Sequence, residues 1–269
     1  MSAAPTPVAI DDPADPRLAP YTAMRERDLV GRAGRFIVEG EVTLRVMLSG
    51  RARFGLESVL LAPERLDGLE EVLRRLPEGV PLYTATKPVM SAITGFPIHR
   101  GVLAVGLRGP EVEPDLPPAP ASVLVIGLVG LTNHDNVGGL LRNAAAFGAD
   151  AVLLDAATCD PLYRKAIRVS AGAALTVPFR RLDDADALLA YADRHGLTPL
   201  ALSPGGGEIL SGLARPNRTL LILGTEGPGL PPALMARLRT VRIPMAADFD
   251  SLNVATAGAI ALHHLTTSR

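Results

Sequence analysis

The feature that most narrows the possible folds is a set of short apolar runs that do not alternate: Val123–Val129 (VLVIGLV), Val152–Leu154, Leu220–Leu223 and Val241–Ile243. A strand with one wet face alternates apolar and polar residues, whereas a continuous run has both faces buried, as in a parallel sheet covered by helices. Between the runs, Val137–Phe147, Leu162–Val169 and Leu182–His195 carry helical spacing, and Pro199–Leu202 reads as one more strand. This alternation predicts an α/β domain with a parallel sheet over residues 122–269. Ligands of such sheets bind in loops at the C-terminal ends of the strands. Two of the runs lead straight into loops rich in Gly, Pro and small residues, and a third loop, ending Ser251-Leu252-Asn253, opens a helix carrying Ala255, Ala257, Gly258, Ala259 and Ala261. Gly224, Gly227 and Gly229 have no Cβ and allow a ligand close to the backbone.

The first half is organised differently. Residues 1–20 are rich in Pro, Ala and Asp without periodicity and are expected to be a mobile tail. Strands over 59–62, 81–84 and 102–107, with helices over 42–48 and 66–76, predict a small α/β domain spanning 21–108. Residues 109–121 (GPEVEPDLPPAPA) hold five prolines in thirteen residues and are expected to form a semi-rigid linker. Gly205-Gly206-Gly207 reads as a flexible loop.

Charge and cysteine usage remove several classes. With 27 Lys and Arg against 28 Asp and Glu, the net charge of −1 argues against a protein that coats nucleic acid through bulk charge. Distribution matters more, since residues 25–53 hold seven arginines against four acids. A single cysteine, Cys159, excludes an intramolecular disulfide and fits a reducing compartment. With no signal-like N-terminus and no apolar run near the ~18 residues of a membrane span, a cytoplasmic protein is expected. No G-x-G-x-x-G or G-x4-G-K-[ST] is present, which disfavours a dinucleotide oxidoreductase and a P-loop NTPase. No H-E-x-x-H or C-x-x-C is present and the five histidines are scattered, so no metal is expected.

Three segments carry a resemblance when taken in order. They are Asn136-Val137-Gly138-Gly139-Leu140-Leu141-Arg142 with Phe147-Gly148 following, LGTEGPGL at 223–230, and IPM-x5-SLNV at 243–254. Together they resemble the signature motifs of the SpoU/TrmH branch of the SPOUT RNA methyltransferases. The resemblance implies a C-terminal parallel-sheet domain with a trefoil knot, a small N-terminal α/β RNA-binding domain, and a homodimer formed through the C-terminal domain. It implies S-adenosylmethionine as cofactor and methylation of a ribose 2′-hydroxyl, with ribosomal RNA favoured over tRNA by the extra N-terminal domain. Methylation of tRNA, methylation of a base nitrogen, and an RNA-binding accessory protein without turnover remain alternatives. The resemblance assigns Arg142, Asn136, Glu226, Ser251 and Asn253 to catalysis, and Gly224, Ile243, Met245 and Leu252 to the cofactor. The looser likeness of the first domain directs Arg32 and Arg35 to RNA.

Read as residues, several of these positions have a second explanation. Arg142 is either a surface arginine on an amphipathic helix or the group that activates the 2′-hydroxyl. As a base it is costly: deprotonating a guanidinium of pKa ~13.8 at neutral pH requires roughly 9 kcal/mol. A fixed cation facing a developing alkoxide has no such cost and is worth about 3–4 kcal/mol. Asn136 is either an N-cap or an orienting group, in a loop reading Asn133-His134-Asp135-Asn136 where the family has D-P-x-N. Glu226 is either a solvated turn residue or an orienting acid. Ser251 is the expected N-cap of the last helix by residue type, and Asn253 sits where helix propensity would not choose it. Arg164, Lys165 and Arg168 either meet RNA phosphates or form a solvated helix face.

Overall fold

A computed structural model of the chain describes residues 5–22, 30, 33–225, 227, 229–246 and 249–267. The chain divides into two compact units, Met1–Pro110 with Leu162–Thr176, and Glu111–Pro161 with Val177–Arg269.

The first unit is built on a five-stranded sheet of order β1-β4-β3-β5-β2. Its strands are β1 (Val8–Ala9), β2 (Arg35–Glu39), β3 (Gly55–Leu61), β4 (Leu82–Thr84) and β5 (Val102–Leu107). β5 runs antiparallel to β2 and β3, while β1, β4 and β3 are parallel. Phe36 pairs with Gly106 on the facing strand. A Cβ on Gly106 would lie 2.2 Å from Phe36 Cζ, so the buried ring occupies the space the glycine leaves. Helices α1 (Glu41–Met47), α2 (Leu66–Leu73) and α3 (Lys87–Thr94) follow their strands. α2 buries Leu69, Val72 and Leu73, the spacing that predicts it.

The N-terminal residues are not a tail in their described part. β1 adds to the sheet beside β4, and Pro16–Tyr21 forms a 3-10 turn capped by Asp15, whose side chain accepts from the Arg17 N–H. Arg17 also hydrogen-bonds the Asp15 carboxylate and holds its pKa down at about 2. Ile10, Leu18 and Tyr21 are buried, and the Tyr21 hydroxyl lies 2.7 Å from Ser58 Oγ. Three apolar anchors spread over twelve residues show no period, yet their burial offsets the ordering cost that composition alone suggests is not met.

A second correction concerns the basic helix. It is shorter than expected, α5 (Arg164–Val169), and with the residues up to Thr176 it groups with the first unit. Gly172, at φ +86°, lies where a Cβ would come 3.0 Å from Val46 of α1, and Arg53 N–H donates to Leu175 O at 3.0 Å.

The second unit is a seven-stranded sheet of order β10-β12-β9-β11-β6-β7-β8 in which every pairing is parallel. The strands are β6 (Val123–Val129), β7 (Ala151–Leu154), β8 (Phe179–Arg181), β9 (Thr198–Leu202), β10 (Glu208–Ile209), β11 (Arg218–Gly224) and β12 (Arg239–Arg242). All seven residues of β6 are buried, as its unbroken apolar run requires. One face packs against α6 (Ala185–His195) and α7 (Pro232–Met235) through Leu188, Tyr191 and Leu234. On the other face, α4 (His134–Ala146) and α8 (Val254–Thr267) cross closely. A Cβ on Gly258 would lie 2.4 Å from Leu140 Cδ2, and one on Gly139 would lie 3.0 Å from the Ala255 Cβ. The small residues of α8 therefore serve a tight helix crossing over the sheet.

The short edge strand β8 was not anticipated, because two of its three residues are arginines. The loop at 205–207 is pinned: a Cβ on Gly206 would meet Val241 C at 2.4 Å, and Gly207 N–H donates to Thr240 Oγ1 at 3.0 Å. The Pro-rich stretch is also tied down within the second unit. Glu113 pairs with Arg180 and lies 3.3 Å from His195, while Arg218 donates to Pro117 O at 2.7 Å and Asn217 to Pro120 O at 2.7 Å. No helix among the described residues is long and apolar enough to cross a membrane.

Candidate active site

β12, β9 and β11 are neighbours in the sheet, so the loops leaving their C-terminal ends lie side by side. A cavity of about 280 Å³ opens among them and the start of α8. Leu202, Ser203 and Pro204 come from the β9 end, Gly224, Thr225, Gly227, Gly229 and Leu230 from the β11 end, and Ile243, Met245 and Ser251 to Asn253 from the segment after β12. Among the described residues its lining carries no charged side chain. Apolar walls with a few polar groups are the usual make-up of a small-molecule site.

The β11 loop owes its shape to glycine. Gly229 N–H donates to Thr225 O at 3.1 Å, which folds the loop back on the strand end. A Cβ on Gly224 would come 2.6 Å from Leu230 N and 2.7 Å from Gly229 C, so any larger residue must push the loop away. Gly227 and Gly229 turn at φ +82° and +70°, where other residues are strained.

At the cavity edge, Asn253 caps α8. Its Oδ1 accepts the N–H groups of Ala255 at 2.9 Å and Thr256 at 3.2 Å, so the cap is Asn253 and the expectation for Ser251 is corrected. This fixes the amide's orientation: Nδ2 points the other way and donates to Asn136 Oδ1 at 2.9 Å. Asn136 is buried, and its own Nδ2 has no partner among the described residues. The helix it belongs to begins earlier than predicted, with Asn133 as the cap, accepting from the Asp135 N–H. Asn136 is thus freed from capping. Asn143 of the same helix donates to Ala255 O at 2.8 Å, a second link between the first and third motifs.

The loop leading into α4 is held by residues that sequence reasoning missed. The buried Asp155 carboxylate accepts from Gly130 N–H at 3.0 Å, Thr158 N–H at 2.8 Å and Thr158 Oγ1 at 2.6 Å. An acid directly after the apolar run of β7 was the available signal. The neighbouring Cys159 thiol is pushed up to about 12 by burial, which leaves it protonated and unreactive at neutral pH.

Residues 123–263 match the SpoU rRNA Methylase family. The chain belongs to that family. An uncharacterized tRNA/rRNA methyltransferase of Mycobacterium tuberculosis is 38% identical over 272 residues, covering 96% of this chain and 91% of the relative. An RNA 2′-O ribose methyltransferase of known structure superposes with a TM-score of 0.78 at 24% identity, over 97% of this chain and 99% of that one. The SpoU methyltransferase AviRb from Streptomyces viridochromogenes, solved with AdoMet, gives 0.78 at 23% identity over 94% and 97%. At such identities the two structures speak for the fold alone.

In this SpoU-family chain the expected residues divide into four groups. Gly224, Ile243, Met245, Ser251, Leu252 and Asn253 all line the one cavity, and Asn136 joins them through Asn253. Arg142 is not in the described lining; it is exposed near the end of α4, and six residues put it about 120° around the helix from Asn136. Glu226 and Arg32 lie outside the described residues. The remaining RNA candidates sit in the first unit. Arg35 Nε pairs with Glu57 at 2.6 Å. Arg164 and Arg168 lie 3.4 and 3.7 Å from Glu39, and Arg164 covers the Phe96 ring at 4.1 Å. Lys165 is exposed. No group of three or more His, Cys, Asp or Glu that could hold a metal ion occurs among the described residues.

Proposed function

We propose that this SpoU-family RNA methyltransferase moves a methyl group from S-adenosylmethionine to a ribose 2′-hydroxyl, with ribosomal RNA as its substrate. The observation that carries the reading is the convergence of the second and third motifs on one cavity whose described lining is uncharged, joined to the first motif by the Asn136–Asn253 hydrogen bond. The residues present fit the cofactor: Leu202, Leu230, Ile243 and Leu252 offer apolar walls for an adenine, and Ser251 and Asn253 add polar edges. When bound, S-adenosylmethionine supplies a methyl group already activated on a sulfonium.

Asn253, held by its two cap hydrogen bonds and by Asn136, gives the cavity edge a fixed shape. Asn136 Nδ2, without a partner among the described residues, keeps a donor in reserve for the substrate ribose or for an acid, the role the resemblance gives Glu226. Arg142 stabilises charge as it develops on the sugar oxygen, acting as a positioned cation; the proton leaves to an RNA phosphate or water. Because Arg142 is exposed and outside the described lining, we assign it to the site of an assembled homodimer, where it meets the cavity of the second copy. The order of the sheet, in which β11 enters between the earlier strands β9 and β6, supports a trefoil-knotted backbone.

The deciding experiment is nucleoside mass spectrometry of ribosomal RNA and tRNA after reaction with the purified protein and S-adenosylmethionine. A 2′-O-methyl nucleoside in ribosomal RNA is expected. A base-methylated product, or a product confined to tRNA, overturns the corresponding half of the proposal, and cofactor binding without any product points to an accessory RNA-binding protein.

A further inference from the structure

A second depression, about 350 Å³, lies within the first unit and is lined by Glu41, Glu64, Arg65, Lys87, His99 and Arg100 with Val42. Two glycines make room for it. Gly101, at φ +64°, is the point where Lys87 and Arg65 converge: a Cβ there would lie 2.7 Å from Ala62 Cβ, 3.4 Å from Lys87 Cε and 3.5 Å from Arg65 Cγ. Gly40, at φ +98°, leaves Arg100 Nη1 only 3.2 Å from where its Cβ would be. Three cationic stems are thereby gathered beside the first turns of α1 and α3, whose leading residues are Glu41 and Lys87. Neither helix start is closed by a side-chain cap.

The charges do not cancel. Glu41 pairs with Arg45 and Arg65, and Glu64 with Lys87 at 2.9 Å. Arg100 and His99 are exposed and have no hydrogen-bond or ion-pair partner among the described residues, and the buried Arg65 Nε is likewise unpartnered. A guanidinium and an imidazole are left over in the cleft, beside the uncapped start of α3, whose N-terminal end favours anions.

We propose that this cleft is a phosphate subsite for the RNA backbone, with Arg100 and Lys87 contacting phosphodiester oxygens and Arg65 adding positive charge beside them. It rests on the reading of the protein as an RNA methyltransferase and adds to it a second place where the substrate is held. It also distinguishes the cleft from the arginines of α5, which already face Glu39.

The test uses Arg100→Gln and the double variant Lys87→Gln/Arg100→Gln in the full chain, with deproteinised ribosomal RNA as probe in filter binding from 50 to 300 mM KCl. Arg100 has no partner to lose, so its variant keeps the fold, which circular dichroism checks. Each lost phosphate contact lowers the salt slope by about 0.7–0.9 and weakens binding about threefold to tenfold at 0.1 M salt. S-adenosylmethionine affinity by calorimetry stays unchanged. An unaltered slope and affinity in the double variant overturn the subsite while leaving methyl transfer intact. Failure of the enzyme reading is visible separately, because the unsubstituted protein would then bind or methylate no RNA.

Discussion

Two concave sites of the molecule are built by opposite means. The cavity of the second unit is made from loops at strand ends, has no charged group in its described lining, and depends on backbone that glycine brings close. The cleft of the first unit is made from long charged side chains gathered around Gly40 and Gly101. The contrast matches what each is proposed to hold. A cofactor recognised by shape and short polar contacts needs fixed walls, whereas a polyanion recognised by charge tolerates exposed, adjustable cations.

The largest effect expected is at the reacting centre. Arg142→Ala should lower kcat by about 10²–10³-fold with S-adenosylmethionine affinity unchanged, read by tritium transfer alongside calorimetry. Near-normal turnover in Arg142→Lys would break the view that a fixed planar guanidinium is needed. If Arg142 serves the cavity of a second copy, mixing Arg142→Ala with Gly224→Ala should restore activity that neither variant has alone. Gly224→Ala must displace backbone at Leu230 and should weaken S-adenosylmethionine binding by about tenfold or more, in line with the ~1–3 kcal/mol of overpacking. Calorimetry giving wild-type affinity would show that the loop is not the wall described.

A smaller effect separates scaffold from chemistry. Asn136→Ala leaves the buried side of the Asn253 amide without its acceptor and should lower stability by about 1–3 kcal/mol, seen as a lower denaturant midpoint. The smallest expected change is itself the sharpest comparison. Between 50 and 300 mM KCl, S-adenosylmethionine affinity should move by less than about threefold while RNA affinity falls steeply with salt. Equal salt dependence of the two would erase the distinction between the sites.

Legibility followed burial. β6 and β5 span the residues their apolar runs predict, since a strand buried on both faces leaves no choice of pattern. The second and third motifs marked Gly224, Ile243 and Leu252, and these residues meet in one cavity. The wall from Leu202 to Pro204 was missed because its only signal is a strand end followed by Pro and Gly. β1 and β8 were missed for a related reason: two and three residues are too short to show a period, and their pairing is decided by neighbours distant in sequence. Ser251 against Asn253 could not be resolved by residue type, because both are good caps; only the position of Asn136 selects between them. Composition misjudged the N-terminal residues, where Ile10 and Leu18 are isolated anchors in a polar context.

The grouping of Leu162–Thr176 with the first unit has a consequence for biosynthesis. About fifty residues of the second unit, including β6, α4 and β7, are translated before the piece that completes the first. Val46 and Arg53 must wait for Gly172 and Leu175 to leave the ribosome, so the amino-terminal module cannot mature on its own schedule. A fragment ending at Pro110 would lack the segment that docks on α1, and expressing that half alone would yield an unfinished body.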